Sequence, residues 1–237
     1  MIFEKNYRIG IEYIGRNNYA TNKALLSIME DIACLHSQTV HYGVLDIESK
    51  KKVWILLDWK IKVNKRPMYN DIVIAKTWPR KIKSLCAYRD FEIIDKGCNS
   101  IALGTSRWIL MDTEKRRPIK ITDDIKKLYE VEPQKQAFSE EIKDVRVNEF
   151  LFEKEFKIQR RDIDLNNHMH NLSYLDMAYE ILPENIYKNS IFNNVRILYK
   201  KEIVYGSKIM CFYSKVDGKH IITVKSNDKK SAVIELY

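Results

Sequence analysis

Two hydrophobic periods alternate along this chain, and the order in which they appear is repeated. In the first half, residues 7–14 alternate in the manner of a strand and lead into the polar run Asn17-Asn18-Tyr19-Ala20-Thr21-Asn22. Capping residues there give way to Leu25, Ile28, Met29, Ile32 and Leu35, a stripe at helical spacing that ends before Gly43. Four strands are expected next, at residues 53–63, 71–78, 85–95 and 101–111, with Pro67, Pro79 and Lys96-Gly97 supplying turns. In the second half, residues 150–158 lead into another polar run and a stripe of Leu172, Leu175, Ala178, Tyr179 and Leu182 that Pro183 stops. Four more strands are expected at 195–204, 208–216, 220–226 and 231–237, with Asp217-Gly218 and Asn227-Asp228 as breaks.

One helix followed by a meander of strands, twice over, predicts an α+β protein in which two antiparallel sheets each wrap a largely apolar helix. Residues 123–149 are charged and contain Pro133, and read as a short helix followed by a linker. The expected organisation is therefore an N-terminal unit at 1–129, a linker at 130–149 and a C-terminal unit at 150–237.

Composition narrows the function. The 237 residues are 45% apolar and 31% charged, ordinary for a folded soluble protein. No apolar run approaches the roughly 20 residues needed to cross a bilayer. The opening Met1-Ile2-Phe3-Glu4-Lys5-Asn6 lacks the apolar core of a signal peptide, so no membrane partner and a cytoplasmic location are expected. Cys34, Cys86, Cys98 and Cys211 are far apart, which suggests inert or buried thiols and neither a zinc site nor a disulfide framework. The formal charge of +9 favours an acidic partner or substrate. Nucleic acid is not the expected one, because the cations are scattered through strand-like segments and no helix-turn-helix, zinc-finger or RNP pattern is present.

The candidate chemistry lies in Asp162-Ile163-Asp164-Leu165-Asn166-Asn167-His168-Met169-His170-Asn171, immediately before the second helix. A helix N-terminus presents N–H groups and partial positive charge to a carbonyl oxygen or an anion. Carboxylate, amide and imidazole groups beside it suit hydrolysis of an activated acyl group. Asp162, Asp164 and Asn166 mimic the opening of a calcium loop, yet Asn167 stands at the glycine position and Ser173 at the twelfth, so no calcium is expected. Asp164, His168 and His170 are confined to one turn without a distant ligand, and no metal or cofactor is expected. Asn22 and Asn171 read as helix caps, and His36 and His41, placed in the first helix, as structural residues. Glu202 falls in a strand pattern.

The order of elements, the Asp164-x-Asn166-x-His168-x-x-Asn171 spacing and the later Tyr199-Lys200-Lys201-Glu202 resemble the acyl-acyl carrier protein thioesterases of plants and bacteria. Trp78, the run Ser106-Arg107-Trp108-Ile109-Leu110-Met111 and Arg116-Arg117-Pro118 are also similar to that family's pattern. The resemblance covers nearly the whole chain. It implies a double hotdog fold with the site in the C-terminal hotdog, and Asp164, Asn166, His168 and Glu202 as the catalytic set. It further implies an acyl carrier protein bearing an acyl chain as partner, release of free fatty acid as the reaction, and a possible homodimer. Many plant members carry a cysteine directly after the glutamate; here that position is Ile203, which leaves water activated by a carboxylate as the expected nucleophile. Within this reading, either Glu202 or Asp164 is the base, and N–H groups at the helix start from about Asn171 hold the oxyanion. Aligning Asn22 with Asn171 sets Gly15, Asn17 and Tyr19 opposite Asp164, Asn166 and His168. The first half is thus expected to bind the acyl chain, with Ile28, Met29 and Ile32 as either tunnel lining or core. An acyl-coenzyme A thioesterase, a hydratase of the same fold and a non-catalytic acyl sensor are the alternatives.

Overall fold

The computed structural model describes residues 1–139, 145, 147 and 149–237. The chain forms two compact units, Met1–Glu141 and Ile142–Tyr237. Part of the expected linker, residues 140–144, 146 and 148, lies outside the described residues.

In the first unit, β1 (Phe3–Arg8) precedes a short 3-10 turn, Ile11–Tyr13, and then α1 (Asn22–Thr39). The expected strand at 7–14 is displaced toward the terminus, because the chain leaves the sheet at Ile9 to build a loop. Thr21 caps α1, its Oγ1 accepting from the Ala24 N–H at 3.1 Å, so Asn22 is the first helical residue and not the cap. Leu25, Ile28, Met29 and Ile32 are all buried to 1% exposure or less, while Leu35 is half-buried. α2 (Ile47–Lys50) is a single turn, followed by β2 (Lys52–Val63), β3 (Ile72–Ile82), β4 (Ala87–Ile94), β5 (Ser100–Asp112), the two-residue β6 (Arg117–Pro118) and α3 (Asp123–Leu128). Pro79 does not end β3. The strand carries it across an irregularity between Pro79 and Lys81, the place where a residue without an N–H is tolerated. All pairings are antiparallel, in the order β1-β3-β4-β5-β2, with β6 added to β5. Trp59 and Phe91, both fully buried and 5.0 Å apart between ring centroids, anchor the core beneath α1.

The second unit contains β7 (Phe152–Lys157), a 3-10 turn at Arg160–Asp162, α4 (Ser173–Glu180), α5 (Glu184–Asn189), β8 (Asn194–Tyr199), β9 (Lys208–Val216), β10 (Lys219–Ser226) and β11 (Lys229–Leu236). Its strand order is β7-β9-β10-β11-β8, again all antiparallel. Numbered within each unit, the strands therefore follow one order, 1-3-4-5-2. Both hairpin breaks use left-handed residues, Asp217 and Gly218 at φ 50° and 76° and Asn227 and Asp228 at φ 49° and 58°. Leu172, Leu175, Ala178 and Leu182 are buried, and Tyr179 is half-buried. The strand expected at 195–204 ends at Tyr199, which removes Glu202 from the sheet.

One smaller expectation also changes. His41 lies past the end of α1 with φ 58°. Cys98 is exposed, at φ 63°, while Cys211 is buried and Cys34 and Cys86 are half-buried. Among the described residues no helix is long and apolar enough to cross a membrane.

Candidate active site

The end of β8 decides where Glu202 points. The N–H groups of Lys200 and Lys201 both reach the Ser231 carbonyl, at 2.8 and 3.2 Å, so the strand loses its register and turns out of the sheet. The next residues run beside the loop before α4: Met169 N–H bonds the Ile203 carbonyl at 2.7 Å, and His168 pairs with Val204. That pairing brings His168 Nε2 to 3.1 Å from Glu202 Oε2, with the two side chains 21% and 43% exposed.

Asp164 shapes the loop that carries His168. Its Oδ1 accepts from the backbone N–H of Asn166 at 2.8 Å and of His168 at 3.2 Å. The Asp164 N–H returns a bond to the His168 carbonyl at 2.8 Å, and Asn167 closes the turn at φ 61°, a conformation asparagine tolerates better than most residues. Asp164 thus holds the backbone of both residues. Asn166 joins through its backbone, and its side chain is exposed. Of the four expected residues, His168 and Glu202 meet side chain to side chain, Asp164 orders the turn beneath them, and Asn166 stands outside that contact.

The helix start differs from expectation. α4 is capped at Leu172, without a side-chain cap from Asn171. His170 does that work: its Nδ1 accepts from the Leu172 N–H at 3.1 Å and its carbonyl from the Ser173 N–H at 2.9 Å. Those two N–H groups are therefore engaged and do not await an oxyanion. Two tyrosines bind the parts together, Tyr199 from the run that carries the family resemblance and Tyr174, which had no expected role. Tyr174 donates to the Lys201 carbonyl at 3.4 Å, and Tyr199 to the Asn171 carbonyl at 2.9 Å. Burial, with the charges of Glu202 and Asp164 second, pushes the Tyr174 phenol well above its usual range, so it stays a neutral donor. An aromatic residue in the first turn of a helix that follows a polar cluster was the available signal. Among the described residues no group of three or more His, Cys, Asp or Glu is placed to hold a metal.

The first unit repeats the frame with other side chains. Gly15 N–H bonds the Tyr19 carbonyl at 2.9 Å, Asn18 sits at φ 60°, Tyr19 pairs with Met68, and the N–H groups of Asn64 and Lys65 converge on the Ile101 carbonyl. Arg66 stands where the second unit has Glu202. It donates to the Ala20 carbonyl at 2.9 Å and to Asn22 Oδ1 at 2.8 Å.

This unit also holds a largely apolar cavity of about 660 Å³, its open mouth included. Ala33, Trp54, Ile82, Ala87 and Trp108 contribute to its walls, whereas Ile28, Met29 and Ile32 belong to the core. Polar groups gather on one side. Arg89 Nη1 donates to His36 Nδ1 at 2.9 Å and to Thr77 Oγ1 at 3.2 Å, Trp54 Nε1 donates to Tyr129 Oη at 2.8 Å, and Tyr129 donates to Ser37 Oγ at 3.2 Å. A guanidinium only donates, so His36 Nδ1 carries the lone pair and Nε2 the proton. Burial, reinforced by Arg89, pushes the His36 pKa down to about 3.

Comparison with known proteins decides the lineage. Residues 1–129 match the family model for the acyl-ACP thioesterase N-terminal domain, and residues 145–235 match that for the C-terminal domain. The chain belongs to the acyl-ACP thioesterase family. Similar members include oleoyl-acyl carrier protein thioesterase 2 of Arabidopsis thaliana, 26% identical over 219 residues that cover 84% of this chain and 57% of that protein. Another is the oleoyl-acyl carrier protein thioesterase of Coriandrum sativum, 22% identical over 98% of this chain and 69% of that protein. This family member thus spans little more than half the length of the Arabidopsis oleoyl-acyl carrier protein thioesterases 1 and 2, 57% in each case. Among solved structures, an acyl-ACP thioesterase from Bacteroides thetaiotaomicron superposes with a TM-score of 0.88 at 18% identity, covering 99% of this chain and 96% of the other. The 12:0-ACP thioesterase of Umbellularia californica gives 0.86 at 18% identity over the same shares. The acyl-ACP thioesterase fold is a hotdog fold, and the repeated strand order is its duplication within one chain.

Proposed function

We propose that this chain hydrolyses the thioester between an acyl chain and acyl carrier protein, releasing free fatty acid and ending chain elongation. The observation that carries the reading is the His168–Glu202 pair at 3.1 Å, set on a turn that Asp164 orders. Glu202 takes a proton from water, whose oxygen attacks the thioester carbonyl carbon. His168 orients Glu202 and that water. When the tetrahedral intermediate collapses, the carbon–sulfur bond breaks and the thiolate leaves with the proton that Glu202 accepted. A thiolate needs no strong acid to depart, and with Ile203 after the glutamate no thiol of this segment competes with water as nucleophile. Positioned base catalysis of this kind contributes about 10²–10⁴-fold. Asp164 acts in this scheme as the residue that positions His168, and Asn166 as a group that meets the substrate from the exposed side of the turn.

The N-terminal hotdog, residues 1–129, takes the acyl chain in its cavity, whose aliphatic and aromatic walls suit a hydrocarbon. The C-terminal hotdog, from residue 150, carries the chemistry, and the four unpaired cysteines fit work in a reducing cytoplasm. The test is free-thiol release from acyl carrier protein and coenzyme A thioesters of several chain lengths. Hydrolysis of carrier esters that collapses in Glu202→Gln supports the assignment. An inert wild type with every thioester would remove it.

A further inference from the structure

The turn that makes the site also gathers charge at its edge. Residues 157–162 carry three cations and one carboxylate, and residues 200–208 carry three cations and one carboxylate. Asp162 is buried and accepts the Gln159 N–H at 2.8 Å, while Glu202, 43% exposed, is turned to His168 at 3.1 Å. Arg160, Arg161, Lys200 and Lys201 are exposed, Arg161 with 85% of its side chain in solvent. The two segments are fixed side by side, since Ile158 N–H bonds the Ser207 carbonyl at 3.0 Å and Gly206 N–H the Ile158 carbonyl at 3.3 Å. Apolar surface lies among the cations. Leu165 is 66% exposed and Tyr205 55%, and the Arg160 guanidinium rests 5.8 Å from the Tyr205 ring centre, which holds both in place.

From this arrangement we propose that the rim formed by Arg160, Arg161, Lys200 and Lys201, with Leu165 and Tyr205, is the landing surface for an acidic carrier protein. The inference rests on the thioesterase reading above and adds to it the surface that receives the partner. Lys201 is the neighbour of Glu202 in sequence, so a carrier seated here presents its thioester at the edge of the reacting pair. Cations steer an acidic partner over long range, and exposed apolar side chains among them supply the short-range contact. A hydrocarbon chain needs neither.

The experiment compares two thioesters of one acyl group, one on acyl carrier protein and one on pantetheine, which lacks the protein and its charge. Each is assayed with wild type, the double variant R160E/R161E and, separately, Lys200→Glu. Circular dichroism and thermal melting confirm that each variant is folded. The expected result is a fall of about tenfold or more in kcat/KM for the carrier ester, expressed mainly in KM, with pantetheine ester turnover unchanged. Raising the salt concentration should erase the wild-type advantage for the carrier ester. Unchanged carrier kinetics in both variants would overturn the proposal. An equal fall on both esters would also overturn it, because the rim would then support the site and not the carrier. If wild type cleaves the pantetheine ester but the carrier ester no faster, the surface is wrong and the chemistry stands. If wild type cleaves neither, both readings fall.

Discussion

Replacing Glu202 by glutamine separates chemistry from stability at one atom. The variant keeps the shape and one acceptor oxygen, so contact with His168 survives while the base is lost. The two side chains are 21% and 43% exposed, and a contact in such a setting contributes about 0.2–1 kcal/mol to folding. For a chain of this size that corresponds to a melting shift of no more than about 2–4 °C. Catalysis should respond on another scale. If Glu202 removes the proton from water, kcat falls by about 10²–10⁴-fold. At about 1.4 kcal/mol per tenfold change, that is roughly 3–5 kcal/mol of transition-state stabilisation. Free-thiol release from acyl carrier protein esters, followed with thermal melting of the same preparations, reads both quantities. Lost activity with an unchanged melting temperature is expected. A variant that retains wild-type kcat within about threefold would refute the base assignment and transfer the role to another group.

Four further outcomes follow from the geometry. Asp164→Ala removes the acceptor for two backbone N–H groups; a stability loss of about 1–2 kcal/mol in urea titration is expected, with kcat reduced about 10²-fold through misplacement of His168. Thr21→Ala deletes the cap of the long helix and should lower stability by about 1 kcal/mol with no change in chemistry, measured by denaturant titration and thiol release. His36 binds a proton in the unfolded chain from about pH 6.5 downward but in the folded protein only near pH 3. Its contribution is therefore intact above pH 6.5 and is lost as pH falls, by at most about 1.4 kcal/mol per unit, so a His36→Asn variant should show a shallower loss between pH 6.5 and 4.5. Ala33→Leu projects a larger side chain into the cavity of the first unit and should shift preference toward shorter acyl chains, while equal rates across chain lengths in wild type and variant would contradict the cavity's assignment.

Periodicity made the helices and most strands legible, since a half-buried element writes its buried face into the sequence. The stripe from Leu25 to Ile32 and the alternation of 208–216 both follow that rule. The exceptions were the places where the backbone departs from regularity. In sequence, Ile203 and Val204 prolong the strand pattern of 195–199 past three charged residues, but two consecutive N–H groups converge on one carbonyl and turn Glu202 out of the sheet. Pro79 reads as a terminator, and an irregularity in β3 absorbs it. The same limit applied at the site. The residue types in 164–171 pointed to acyl chemistry, but nothing in the spacing shows that Asp164 would spend Oδ1 on two backbone N–H groups, or that His170 would stand in for the helix cap. Tyr174, Arg89 and Tyr129 were hidden for a simpler reason: an isolated aromatic or basic residue in an apolar pattern gives no sign of which polar group it will meet.

Under the proposed function, the duplicated frame gives a physical reason for chemistry in one unit and binding in the other. In both, a left-handed asparagine and a converging pair of N–H groups place the same backbone segments beside each other, and in the second unit Asp164 adds two bonds of its own to that frame. Three positions then differ. Where the second unit has Asp164, His168 and Glu202, the first has Gly15, Tyr19 and Arg66. Arg66 turns back on the frame, satisfying the Ala20 carbonyl and Asn22 Oδ1. A cation used in this way braces the turn and offers no base. In the second unit the backbone bonds come from Asp164, from His170 and from two tyrosine hydroxyls, which leaves the imidazole and carboxylate side chains to face each other at the partly exposed edge. The fold pays for the frame twice and arms it once.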